Sequence, residues 1–75
     1  MTPTEMRVQR LALALSQREL ADMLGTTVTT VSRLENGQSL LGVRWASHIA
    51  LTFRELKERQ LNAALDAHFA GDPNG

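Results

Sequence analysis

Seventy-five residues allow one domain, of a size at which burial per residue is low and a partner chain often supplies missing stability. Eight basic and eight acidic side chains cancel, which excludes a polybasic protein that grips nucleic acid by net charge alone. The absence of cysteine excludes disulfides and thiolate metal sites.

Thr2-Pro3-Thr4-Glu5 has the form of a capping box with proline at the first helical position, where a missing N–H costs nothing. A first helix is expected from there to about Leu13. Its LALAL run is too short for a signal peptide or a membrane span, so a cytoplasmic protein without membrane contact is expected. Ser16-Gln17-Arg18-Glu19 is a second capping box. Leu20, Ala21 and Leu24 give the second helix its apolar face, and Gly25 supplies a left-handed residue to end it.

The next stretch, Thr26 to Val31, is a run of β-branched residues whose local propensity favours a strand. Its spacing favours a helix. Thr27, Val31 and Leu34 fall at i, i+4 and i+7, Val28 and Val31 at i and i+3, and strict two-residue alternation is absent. Thr27 is a suitable N-cap, and Asn36-Gly37 suit the other end. The second helix, a short turn and this third helix make a helix-turn-helix over residues 16–36.

From Gly42 onward Trp45, Ile49, Phe53 and Leu56 form a helical stripe, which assigns both aromatic rings to the core rather than to base stacking. Arg54 with Glu58 and Glu55 with Arg59 are i, i+4 pairs of a solvated face. Leu61, Leu65 and Phe69 start a second stripe, turned roughly 160° from Trp45 at about 100° per residue. Either the helix breaks near Lys57 to Gln60, or this stripe points away from the domain. The domain is expected over residues 1–70, its C-terminal helical segment over 53–70, and a disordered tail over 71–75, where breakers cluster.

His48 and His68 lie far apart, without the neighbouring acids or second histidine at turn spacing that a metal site or nucleophile needs. No catalytic constellation stands out, and neither metal nor cofactor is expected.

The stretch RVQRLALALSQRELADMLGTTVTTVSRLENGQ resembles the phage-repressor, or Cro-type (XRE-like), helix-turn-helix family. The resemblance is carried by Arg10 in the first helix, Ser16-Gln17 opening the second, Leu20-Ala21 within it, Gly25 in the turn, and Val31, Leu34 and Glu35 in the third. It is clear from about Met6 to Gly37 and fades by about Leu51. Three departures accompany it: Thr26 stands where the family usually has valine or isoleucine, Val28 replaces a polar residue, and Leu40-Leu41 stands in a usually polar loop. The resemblance implies an all-α, lambda-repressor-like bundle of four to five helices with a C-terminal extension. It also implies a homodimer bound to double-stranded DNA at an inverted repeat.

The third helix would then enter the major groove with Val28, Thr29, Ser32 and Arg33 against base edges. Short side chains allow close approach; their methyls can meet thymine methyls, their hydroxyls can bond bases or phosphate, and Arg33 can pair with guanine O6 and N7. Gln17, Arg18, Thr27, Asn36 and Arg44 are expected to touch backbone phosphate, Gln17 aided by the helix N-terminus. Arg10 and Glu35 are expected to form a structural ion pair. Leu61, Leu65 and Phe69, joined by Leu40 and Leu41, are expected at the dimer interface. The function implied is a transcriptional regulator, most simply a repressor, of the kind found in phages and mobile elements, including regulators of anti-CRISPR operons. The alternative is an antitoxin-like module that binds a partner protein through its C-terminal helix.

Overall fold

Thr2, Ser16 and Thr27 each stand in extended backbone and accept a hydrogen bond from the backbone N–H three residues on, so each starts a helix. The computed structural model describes residues 1–70. It is built from α1 (Pro3–Ala12), α2 (Gln17–Leu24), α3 (Val28–Glu35) and α4 (Val43–Ala70), with no strand among the described residues. The Ser16 box is reciprocal: its hydroxyl accepts from Glu19 N–H and the Glu19 carboxylate accepts from Ser16 N–H, both at 3.0 Å. At α1 the threonine half forms, with Thr2 Oγ1 accepting from Glu5 N–H at 3.1 Å.

The first three helices end alike. Thr26 N–H reaches back to Ala21 O, Gln38 N–H to Arg33 O and Leu15 N–H to Arg10 O, each the long bond of a Schellman closure. The left-handed residue of the motif is Gly25 after α2 and Gly37 after α3, at φ +70° and +74°. After α1 it is Ala14, at φ +57°.

Met6 of α1 and its C-cap Leu13, Leu20, Ala21 and Leu24 of α2, and Val31 and Leu34 of α3 converge with Leu15, and Ile49 and Phe53 of α4 close the cluster. Met1, Leu41, Trp45 and Leu56 pack at its edge while half-buried. The Trp45, Ile49, Phe53, Leu56 stripe therefore faces the core as its spacing predicts, and Trp45 retains an exposed flank.

Between Lys57 and Gln60 the helix does not break. α4 runs through, and residues 57–67 are exposed. A polar tie at this end joins Gln60 Nε2 to Leu13 O, 3.3 Å away at the end of α1. Beyond it Leu61 and Leu65 keep 60% and 45% of their surface exposed, so the second stripe does point away from the domain. The Phe69 side chain and the expected tail over 71–75 lie outside the described residues. The projecting helix gives the described chain a longest dimension of 53 Å against 20 Å in the other two. Among the described residues no helix is long and apolar enough to cross a membrane.

Candidate nucleic-acid interface

The β-branched run of α3 is helical because its neighbours hold it there. Thr27 Oγ1 accepts from Thr30 N–H at 3.2 Å and shares a hydrogen bond with Thr30 Oγ1 at 3.1 Å, which stabilises the first turn. Val31 and Leu34 are fully buried against α1 and α2, and this burial outweighs a poor helix propensity that amounts to only tenths of a kcal/mol per residue.

Burying those two residues sets what the opposite side presents. Thr29, Arg33 and Asn36 lie outward and exposed, flanked by Val28 at 37% exposure and half-buried Ser32. Asn36 Nδ2 donates to Ser32 Oγ at 3.3 Å, so two of these polar side chains are held relative to each other.

The helix is tied at its far end. Arg10, buried on α1, donates from Nε to Glu35 Oε2 at 2.7 Å and from Nη2 to Glu35 Oε1 at 3.1 Å. Its remaining nitrogen donates to Leu15 O at 2.8 Å. Gln17 Nε2, at the first residue of α2, donates to Glu35 Oε1 at 3.1 Å. One carboxylate thus gathers α1, the start of α2 and the end of α3. Among the described residues no buried side-chain polar atom lacks a partner, so the burial of this charge pair leaves none of its nitrogens or oxygens unbonded.

Two short helices joined by a tight left-handed turn, the second with a clean outward face, form a helix-turn-helix, and a helix-turn-helix family model matches residues 6–44. The chain belongs to this family. No curated protein and no solved structure matches it significantly. Family membership makes it a DNA-binding transcription regulator of the XRE type.

In this helix-turn-helix protein the other residues expected at DNA lie on α2, at the two ends of α3 and on α4. Arg18 is exposed on the first turn of α2 and Arg44 on the first turn of α4. Thr27 is exposed at the start of α3, although its hydroxyl already serves as the cap. Gln17 is half-buried, and one amide hydrogen is engaged by Glu35, which leaves the second for an outside acceptor. Of the two leucines before α4, Leu40 is 91% exposed, whereas half-buried Leu41 packs against the monomer's own core.

The Gln17 bond to Glu35, the Gln60 bond to Leu13 and the Ser32 pairing with Asn36 have no direct counterpart in the sequence reading. The last has an i, i+4 signal; the other two bridge elements distant in sequence. His48, which the spacing excludes from a metal site, has a local partner. Its ring meets Trp45 edge-on at 6.4 Å between centroids, three residues apart, in an open groove also lined by Leu24 and Arg44.

Proposed function

We propose that the protein is a homodimeric transcriptional repressor that binds an inverted-repeat operator and places α3 of each copy in successive major grooves. The observation that carries this reading is the sorting of α3: Val31, Leu34 and Glu35 are buried while Thr29, Arg33 and Asn36 on the opposite side are exposed. Val28, Thr29, Ser32 and Arg33 then face base edges. Arg33 supplies the long charged donor of that surface, suited to guanine O6 and N7. Gln17, Arg18, Thr27, Asn36 and Arg44 flank them at phosphate. With a net charge of zero, affinity comes from the placement of Arg18, Arg33 and Arg44 rather than from bulk attraction. The second copy is assigned to the exposed end of α4 at Leu61 and Leu65, with Phe69 continuing the spacing; Leu40, exposed in the loop before α4, lies at the opposite end of that helix and belongs to a separate surface. Leu41, already used by the core, contributes least. A small regulator of this kind suits a phage or mobile element, where occupancy of a promoter is set by its own concentration.

Selection of random duplex DNA by the full-length protein tests the reading. A palindromic sequence should be enriched. On that sequence Arg33→Ala should cost about 1–3 kcal/mol and flatten preference at one base pair of each half-site, with non-specific affinity unchanged. Arg44→Ala should weaken all sequences alike and lower the salt slope by about 1. A pool that remains random overturns the proposal.

A further inference from the structure

We infer that the first turn of α3 reads thymine through its C5 methyl group, with the methyls of Val28 and Thr29 as the reading surface. This rests on the operator-binding role proposed above and names the base chemistry within it. The sequence leaves two uses open for the β-branched run, hydroxyl bonding and methyl contact, and the structure leaves one outward hydroxyl, that of Thr29, beside three methyls. The hydroxyls of Thr27 and Thr30 are bonded to each other at 3.1 Å, and Thr27 also caps the Thr30 N–H. Ser32 Oγ is one turn further on and already accepts from Asn36. What the first turn presents outward is therefore Val28, 37% exposed, and exposed Thr29. These offer three methyl groups and one hydroxyl.

A hydroxyl that rotates freely both donates and accepts, so it bonds to any base edge and discriminates poorly. A methyl group discriminates. The thymine methyl is the apolar feature of the major-groove edges, and contact with it removes apolar surface from water that no other ordinary base presents there. The β-branched residues hold their methyls in few rotamers, which fixes the reading surface without a hydrogen bond. Arg33 begins about 6 Å further along the helix axis than Thr29, one turn beyond the methyl surface.

The test uses the duplex selected by the full-length protein, with each thymine replaced in turn by deoxyuridine, which pairs identically and lacks the C5 methyl. One or two positions per half-site should lose affinity about three- to tenfold, the scale of one buried methyl, and the remaining positions should not respond. Thr29→Ser keeps the hydroxyl and removes the methyl; Val28→Ala shortens the other contact. At least one should lose a similar factor on the thymine duplex and bind the thymine and uracil duplexes equally at the responding position, with its circular dichroism unchanged. Equal affinity for thymine and uracil at every position overturns the inference and leaves the operator reading standing. So does a pair of folded variants that both keep the full discrimination. Failure to enrich any sequence overturns both.

Discussion

Ala14 holds φ at +57°, a conformation that costs a residue with a Cβ about 1–2 kcal/mol, at the position where α2 and α3 use Gly25 and Gly37. Its surroundings do not require alanine, because the residue is exposed. Ala14→Gly should therefore stabilise the protein by about 0.5–1 kcal/mol after the greater unfolded-state freedom of glycine is subtracted, raising the thermal midpoint by a few degrees. An unchanged or lower midpoint would mean that the neighbouring bonds have already relaxed the strain. Glu35 is the opposite case. Its side chain is 1% exposed and it accepts three hydrogen bonds, so Glu35→Ala leaves the Arg10 guanidinium buried without its counter-charge. A loss of about 3–5 kcal/mol is expected, most of the stability of a domain this small. Arg10→Met combined with Glu35→Leu should recover most of that loss, since no lone charge remains buried. Urea titration of wild type and the two variants measures it, and a double variant no better than Glu35→Ala would show that the hydrogen bonds to Leu15 and Gln17 matter more than the charge.

Among the elements, α2 carries its own pH dependence. The Glu19 carboxyl is held below its ordinary value of 4.5, first by the Ser16 backbone N–H and then by the Ser16 hydroxyl. A carboxyl whose folded value is depressed stabilises the fold above its unfolded value, and that contribution is lost as pH falls through the folded value. Glu19→Gln keeps the shape of the cap and removes the titration. Wild type should exceed this variant in stability at neutral pH, and the gap should close on acidification below 4.5. A gap that stays constant with pH would assign the difference to packing instead. The same cap was readable in the sequence because capping, turn and stripe signals act over three or four residues, and α1, α2 and α4 were legible on those terms. α3 was legible only by setting spacing against propensity: Thr26 to Val31 reads as a strand residue by residue, and its helix is supplied by Val31 and Leu34 packing on other elements. Contacts that bridge distant segments, such as Gln17 to Glu35 and Gln60 to Leu13, leave no local pattern. The two-way choice over residues 57–60 was open for a related reason, since a continuous amphipathic stripe marks burial and this part of α4 has none.

At the scale of the whole molecule, the last third of α4 is the feature the monomer does not explain. A helix of this length spans about 42 Å, and past Gln60 it runs with its described side chains in solvent. Being continuous with the packed turns it needs no nucleation of its own, yet residues 61–67 stay exposed and bury little to offset the ordering of their side chains. Leu61 and Leu65, 60% and 45% exposed and one turn apart, supply the apolar surface that a second copy would cover. One recognition helix reads only a few base pairs, so specificity for a single promoter demands two in fixed relation, about 34 Å apart on the duplex. Leu65→Asp should leave helicity and the thermal transition of the core intact, because position 65 lies beyond the core stripe. It should sediment as a monomer and bind the selected operator far more weakly. Inserting about five base pairs between half-sites should weaken wild type in the same way, because it turns one half-site to the opposite face of the duplex. A Leu65→Asp protein that unfolds would place the stripe in the monomer's core. One that remains a dimer and binds normally would move the interface elsewhere and free the end of α4 for another protein, in keeping with an antitoxin-like module.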